Sequence, residues 1–267
     1  MSELSRSKKI IQWIFFRYYE EGARCVAFAR EDIEQAVSEL GVRRPKNLGD
    51  VIYSFRYRTD LPESIQKTAP EGEEWIIRPA GKGHYSFESA PMACIEPNPQ
   101  LATTKIPDAT PGIISRYALT DEQALLAIVR YNRLLDVFTG VACYSLQNHL
   151  RTTVPDMGQV ETDELYVGVD QRGAQFVLPV EAKGHNENLS VVQIEQDIGV
   201  CAHKFPDLIC RPVAAQFMKD DVVALFELRE TDEGIRVVLE KHYRLVPPDE
   251  VSAEDLAAYR NQPLERT

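Results

Sequence analysis

Hydrophobic and polar residues between Gly158 and Gly184 alternate with the period of two that is typical of β-strands. Val, Leu, Tyr and Phe follow this spacing in segments 160–169 and 175–182. The residues between these segments, Asp-Gln-Arg-Gly-Ala, are polar and include a glycine, as in a short hairpin loop. The pattern therefore predicts two antiparallel strands joined by a tight turn.

The register of this hairpin brings acidic residues together. If Val169 pairs with Gln175, counting back along both strands places Asp163 opposite Glu181. Since side chains alternate between the faces of a strand, we expect two different faces. The charged face carries Glu161, Asp163, Glu181 and Lys183, and the apolar face carries Phe176, Leu178, Val180 and Ala182.

The cluster of acids predicts a cation site. Like charges on paired strands destabilise a sheet unless something positive lies between them. Carboxylates combined with waters and phosphate oxygens suit Mg²⁺ or Mn²⁺. We therefore expect Asp163 and Glu181 to bind the metal, Glu161 to be a further candidate ligand, and Lys183 to position or deprotonate the attacking water. The alternative is an exposed strand end with a salt bridge.

These residues also resemble a known motif. Asp163, followed after 17 residues by Glu181-Ala182-Lys183 on a hairpin that precedes a helix, resembles the PD-(D/E)xK nuclease superfamily, which includes most type II restriction endonucleases. The resemblance covers about 120–245. It implies an αβββαβ-type core and metal-dependent hydrolysis of a phosphodiester, with Asp163 and Glu181 as metal-binding carboxylates and Lys183 as the motif lysine. Thr162 stands where the motif has proline.

The same resemblance implies two further site positions. The family often has a polar residue on the helix after the motif lysine, predicted here over about 189–204, and Gln193 is the preferred candidate for a catalytic role. In several such nucleases the first core helix adds an acid, which Glu122 or Asp136 would supply. A solvent-facing glutamine is the alternative for Gln193.

The first 90 residues predict a separate unit. Hydrophobic periodicity and capping residues indicate helices over 5–21, 30–40 and 47–58, and a glycine-rich hairpin over 74–88. Three helices followed by a hairpin resemble the winged-helix class of DNA-binding domains. Such a domain would place its third helix in the major groove. A protein-interaction module is the alternative.

Basic residues accompany the third helix and the hairpin. Each is a candidate phosphate contact, while Ser54 or Tyr57 would reach a base edge. Ordinary solvated positions are the alternative, because acids are equally frequent in this segment. The predicted DNA-binding residues are Arg43, Arg44, Lys46, Arg56, Arg58, Arg78, Lys82 and His84.

The rest of the chain is organised around the catalytic hairpin. Segment 91–118 holds five of the 16 prolines and is predicted as a linker or arm. A helix follows with a Thr120–Gln123 capping box and ends at Gly140, and a second short helix is expected before the hairpin. Strands are predicted over 207–217, 222–229 and 235–245, and a helix over 252–259. The expected fold class is α/β (α+β), a mixed sheet flanked by helices, with the nuclease domain over 119–267.

Charge and cysteine content narrow the function classes. The net charge is −11, yet residues 1–90 carry 14 basic and 14 acidic residues, so the excess acid lies entirely in 91–267. Affinity for DNA must then come from local basic patches. The five cysteines form no CxxC pair, and a zinc cluster of Cys201, His203 and Cys210 lacks a fourth ligand. Reduced thiols and the absence of a long apolar run favour a cytoplasmic protein and argue against a membrane partner.

Taken together, the patterns predict a Mg²⁺-dependent (or Mn²⁺-dependent) DNA endonuclease of the restriction type with an N-terminal DNA-reading unit. Cutting both strands of a duplex favours a homodimer. One alternative is a winged-helix transcriptional regulator with a non-catalytic second domain. A further alternative is an acidic domain that binds protein partners.

Overall fold

A computed structural model of the chain describes residues 3–117, 122–185 and 187–261. Residues 3–90 form what is called here the N-terminal unit. Its three strands make an antiparallel sheet in the order β1-β3-β2. Its elements are α1 (Glu3–Tyr18), β1 (Cys25–Ala29), α2 (Glu31–Glu39), α3 (Leu48–Tyr57), α4 (Glu63–Gln66), β2 (Glu74–Pro79) and β3 (His84–Ala90).

One hydrophobic core holds the N-terminal unit together. Ile14 and Phe15 of α1 pack with Ile52 of α3 and with Trp75 and Phe87 of the sheet. The three predicted helices and the hairpin are present, and Asn47 caps α3 by accepting from the Gly49 amide at 3.0 Å. Strand β1 is not among the predicted elements.

The segment predicted as a linker packs as an arm. It contains β4 (Cys94–Ile95), β5 (Thr103–Pro107) and α5 (Gly112–Tyr117). Strand β5 pairs in parallel with the last strand of the large sheet, and Lys105 contacts the C-terminal helix through Asp255 at 3.0 Å. Its hydrogen bonds therefore fix the segment against the rest of the chain.

The residues after this arm form the C-terminal unit, a mixed α/β structure with a large mixed sheet flanked by helices. Short 3-10 turns lie at Lys219–Asp221 and Pro248–Glu250. The helices are α6 (Glu122–Tyr131), α7 (Leu134–Thr139), α8 (Val191–Lys204) and α9 (Ala253–Asn261). The strands are β6 (Ala142–Val154), β7 (Gly158–Val169), β8 (Gln175–Lys183), β9 (Leu189–Ser190), β10 (Ile209–Cys210), β11 (Val213–Phe217), β12 (Val222–Thr231) and β13 (Gly234–Val246).

The sheet order places the β7–β8 hairpin inside the sheet, with partners on both sides. The order is β5-β13-β12-β11-β8-β7-β6, and β10 also pairs with β8. Strands β8 and β11 are parallel, so the chain crosses over between them through α8. Pro179 of β8 has no amide hydrogen to donate, and the neighbouring strands β10 and β11 are interrupted at Arg211 and Pro212, beside it in the sheet.

Two expectations for this unit are wrong. The short helix predicted before the hairpin is instead the long strand β6, which pairs antiparallel with β7. The single helix predicted to end at Gly140 is two helices, separated at Arg133, whose φ of 50° breaks the α-helical conformation. Gly140 does end α7, with a φ of 68°. Thr120 of the predicted capping box lies outside the described residues.

Helices cover both faces of the large sheet. On one face, Leu125 of α6 and Phe138 of α7 pack against the predicted apolar face of β8, represented by Phe176 and Leu178. On the other face, α8 packs over β7 and β8. The separation of the two faces of β8 is therefore confirmed, and the charged face lies under α8.

Polar and apolar contacts join the two units. Ile76 of the N-terminal unit shares a hydrophobic cluster with Val192 and Phe226. Arg78 donates to both carboxylate oxygens of Glu195, at 2.8 and 2.6 Å, and to Glu88 at 2.7 Å. Arg78 is therefore a structural residue at the interface, whereas the sequence predicts it as a DNA contact.

Among the described residues, no helix combines the length and apolar character needed to cross a membrane. All five cysteines are free thiols.

Replacing Glu195 with glutamine tests the interface ion pair. Loss of the carboxylate leaves a largely buried guanidinium with Glu88 as its remaining charged partner, so we expect the free energy of unfolding to fall by about 2 kcal/mol. Urea denaturation measures this change. The matched control is Glu233→Gln, which breaks an exposed pair with Arg236 and should cost at most about 0.5 kcal/mol. Equal losses in the two variants would contradict the structural role.

Candidate active site

The β7–β8 hairpin has the register that the sequence predicts. Pairing runs from Val169 opposite Gln175 to Glu164 opposite Val180. The ladder ends one position before Asp163 and Glu181, the pair that the sequence predicts. The Asp163 Oδ2 atom accepts a hydrogen bond of 3.0 Å from the amide of Ala182, which places Asp163, in the middle of β7, beside the end of β8 that carries Glu181.

Lys183 lies within an acidic surrounding. Its Nζ atom is 3.5 Å from Glu181 Oε2 and 3.5 Å from Oε1 of Glu122, the first residue of α6. Of the two acids considered for the first core helix, Glu122 therefore reaches the site. Asp136 instead contacts Arg133 and the Cys143 amide. The lysine is buried along with Glu181, while Glu122 is half-buried.

One turn of α8 supplies the remaining polar contacts. Gln193 Nε2 donates to Glu181 Oε2 at 2.8 Å, as expected for a site residue. Gln196 accepts a 2.7 Å hydrogen bond from the hydroxyl of Tyr57, which belongs to the N-terminal unit. The hydroxyl of Thr162 donates to Asp197 at 2.5 Å. Residues three and four positions apart lie on one helix face, which is why a single turn makes all three contacts.

Burial and repulsion between neighbouring carboxylates raise the pKa values of the buried acids at the site. Burial, together with Asp197 and Asp163, raises the pKa of Glu181 well above its ordinary value. Burial also raises the pKa of Asp197 to about 8, against the hydrogen bond from Thr162, which lowers it. Burial alone would lower the pKa of Lys183, but the surrounding carboxylates outweigh it and raise that pKa. The site therefore contains more carboxyl groups than Lys183 alone could balance in their ionised form.

The number of carboxyl groups at the site is relevant to the predicted metal. Within the described residues, no group of three or more His, Cys, Asp or Glu side chains is placed to hold a metal ion, which also applies to Cys201 and Cys210. Mg²⁺ needs fewer than three such side chains, because it keeps several waters and binds through one or two carboxylates plus substrate phosphates. Asp163 and Glu181 supply two carboxylates, and the surplus of carboxyl groups over Lys183 fits a divalent cation.

The acids open into a cleft between the two units, called here the interface cleft. Its volume is about 650 Å³. Asp163, Lys183 and Gln193 line the C-terminal side. The N-terminal side is formed by the end of α3, with Tyr53, Arg56, Tyr57 and Arg58.

Glu161, the third predicted ligand, lines the interface cleft but contacts His149 and Arg151 on β6. Its Oε1 atom accepts from Arg151 at 3.1 Å and lies 3.7 Å from Nδ1 of His149. Arg151 thus already pairs with its carboxylate.

The predicted DNA-binding residues fall into three groups. Arg56 and Arg58 line the interface cleft. Arg44 pairs with Glu34 at 2.7 Å, and Arg78 is held at the interface. The others are exposed on the N-terminal unit: Arg43, Lys46, Lys82 and His84.

The base-reading candidates are engaged by the protein itself. Ser54 shares a 3.1 Å hydrogen bond with Thr59, and Tyr57 donates to Gln196. Helix α3 contacts α8 and β9, so its C-terminal end faces the C-terminal unit. A major-groove role for this end of α3 would require the two units to separate.

Asp197 and the contact between Tyr57 and Gln196 are among the site features that the sequence does not predict, as is Glu187, which lines the interface cleft. The position of Asp197 in the sequence pattern could have indicated that it is buried. It stands three residues after Ile194 and three before Val200, on the apolar stripe of α8, where a buried acid is unusual. The Tyr57 contact spans 139 positions and has no local signal.

No protein-family model, curated protein or solved structure matches this chain. The assignment of the site therefore depends on its own geometry, charge and sequence motif.

The raised pKa of Asp197 predicts a pH dependence of stability. Between about pH 4 and pH 8 the folded state holds a proton on Asp197 that the unfolded state has released, so the free energy of unfolding falls as pH rises through this window. In Asp197→Asn this loss is absent. We expect the variant to gain on the order of 1–3 kcal/mol over the wild type between pH 5 and about pH 7.5.

Urea denaturation in EDTA at several pH values measures the difference. Asp207→Asn, which removes an exposed carboxylate, should follow the wild-type curve. Parallel curves for Asp197→Asn and the wild type would show that Asp197 is ionised in the folded protein.

Proposed function

We propose that this chain is a Mg²⁺- or Mn²⁺-dependent endonuclease that hydrolyses phosphodiester bonds in duplex DNA and resembles the PD-(D/E)xK enzymes. The observation that carries the proposal is the arrangement of Asp163, Glu181 and Lys183 at the end of the β7–β8 hairpin, with Gln193 donating to Glu181. Asp163 and Lys183 line an open cleft, and the buried Glu181 adjoins them; two carboxylates and a lysine are the groups needed for metal-assisted hydrolysis.

The order of elements supports the same proposal. Around the site, helices α6 and α7 precede β6, β7 and β8, and α8 and β11 follow. This order fits the αβββαβ-type core implied by the motif. In the N-terminal unit the helices α1, α2 and α3 precede the β2–β3 hairpin, as expected of a winged-helix-like domain, and β1 adds a third strand.

The chain's own residues have distinct roles in the proposed reaction. When bound, the metal supplies Lewis acidity and a lower pKa for an attacking water. Asp163 and Glu181 would hold it, and Gln193 keeps the Glu181 carboxylate in one orientation through its 2.8 Å hydrogen bond. Lys183 orients the water or stabilises the negative charge that develops on the phosphoryl oxygens. Its protonated form is favoured by the neighbouring acids.

The biological setting proposed is that of a restriction-type enzyme acting as a homodimer, since a two-fold pair of sites would cut both strands. The exposed basic residues of the N-terminal unit would contact the duplex backbone.

Removing the lysine tests the proposal directly. Purified protein is incubated with unmethylated and methylated plasmid DNA in Mg²⁺ and in EDTA. We expect discrete fragments only in Mg²⁺, and a loss of cleavage of at least about 10²-fold in Lys183→Ala, because an electrostatic group at the reacting phosphate is removed. Asp163→Asn and Glu181→Gln should lose cleavage similarly while DNA binding persists.

Matched controls are Lys219→Ala and Glu230→Gln, which remove exposed charges outside the interface cleft. Wild-type cleavage by Lys183→Ala would refute the site assignment. Intact DNA in every sample, with a gel shift that is the same in Mg²⁺ and EDTA, would favour the regulator alternative.

A further inference from the structure

Arg56 is a mostly buried cation with incomplete pairing. Its Nε and Nη2 atoms are buried and donate to no described residue. Within the described part of the chain, no carboxylate forms an ion pair with it. A guanidinium removed from water without a partner costs free energy, and arginine remains charged at neutral pH. Burial lowers the pKa of Arg56, in line with this cost.

The position of Arg56 is nevertheless fixed. Its guanidinium carbon lies 4.7 Å from the centre of the Tyr57 ring. The ring is held in turn by the 2.7 Å hydrogen bond from its hydroxyl to Gln196. Burial raises the pKa of Tyr57 to about 12, so the hydroxyl keeps its proton and remains a donor.

This arrangement connects Arg56 to the acid cluster. Gln196 and Gln193 lie one turn apart on α8, and Gln193 contacts Glu181. Arg56 therefore stands on one wall of the interface cleft, with Asp163 and Lys183 on the other. Arg58, whose guanidinium lies 5.0 Å from the centre of the exposed Tyr53 ring, extends the same wall.

The charged groups on the two walls of the interface cleft indicate a ligand that contains phosphate. A metal bound by the carboxylates would contact a phosphodiester from one wall of the cleft. A phosphate that faces the opposite wall needs a cation there. Guanidinium groups match phosphate oxygens in geometry and charge. Aromatic side chains beside such cations are typical of surfaces that contact nucleic-acid strands.

We propose that the N-terminal unit forms part of the nuclease active site, in which Arg56 binds a backbone phosphate of the DNA strand that enters the interface cleft and Arg58 contacts the neighbouring phosphate. This proposal deepens the proposed function and rests on it for the identity of the ligand. Arg56 is then a substrate-binding residue supplied by a unit that would otherwise only locate the DNA.

A purely structural role predicts the opposite effect on stability. If Arg56 stabilises the fold, its removal should lower the melting temperature. If Arg56 instead binds an anionic ligand, removing this incompletely paired buried cation from the free protein should leave the melting temperature unchanged or raise it. Binding of DNA should weaken in the same variant, because the phosphate loses its charged donor.

The experiment compares Arg56→Gln with Arg229→Gln, which removes an exposed arginine that does not line the interface cleft. Both are placed in the full-length Lys183→Ala chain, and binding to a short fluorescent duplex is measured by anisotropy over a salt series. We expect Arg56→Gln to weaken binding by about tenfold or more. It should also reduce the slope of log K against log salt by about one, while Arg229→Gln changes neither. Arg56→Lys, which keeps the charge, should recover part of the affinity.

Cleavage by the single variants with Lys183 intact is measured alongside, so that the two proposals are separable. Lys183-dependent cleavage with unchanged binding and cleavage in Arg56→Gln would overturn the role of Arg56 and leave the nuclease standing. Binding that needs Arg56, without cleavage in any buffer, would support the phosphate site and refute the nuclease. A lowered melting temperature in both Arg56 variants with unchanged affinity, or no DNA binding by the parent chain, would overturn the inference.

Discussion

The buried carboxylate of Glu181 is the constraint on which this architecture depends. It lies at the end of a central strand, where burial and two nearby acids oppose its ionisation. A charge in this position is tolerated only where donors or cations compensate it. Gln193 and Lys183 supply part of that compensation, and a divalent cation would supply the rest. The opposite face of β8 packs against α6 and α7 through apolar side chains, so the polar contacts of Glu181 come from the α8 side.

Helix α8 makes polar contacts with Glu181 and with β7, and it also connects the two units. Gln193 contacts the carboxylate, Asp197 fixes β7 through Thr162, and Gln196 and Glu195 reach the N-terminal unit. Because these residues lie within two turns of one rigid helix, a displacement of the N-terminal unit would be transmitted to the site. The contact pattern thus couples the interface to the geometry of the proposed chemistry.

The local features of the site were predictable because they depend on local rules. The turn before Gln175 and the period of two set the register, and the register alone brings Asp163 beside Glu181. Strand β6 was not predictable in the same way. It lies at the edge of the sheet and a run of its residues, 144–149, is exposed, so it shows no alternation of polar and apolar positions. The interface cleft depends on packing between segments more than a hundred residues apart, for which single-sequence spacing contains no signal.

The distribution of charge gives a reason for the packing of the two units. The C-terminal unit concentrates acids around Lys183, which suits a metal but repels a polyanion. Cations close enough to offset that repulsion come partly from α3, through Arg56 and Arg58. In the proposed reaction neither unit alone would hold both the metal and the phosphate. A net charge of −11 is then compatible with a nuclease, because affinity would depend on cations placed beside the cleft and not on the charge of the whole chain.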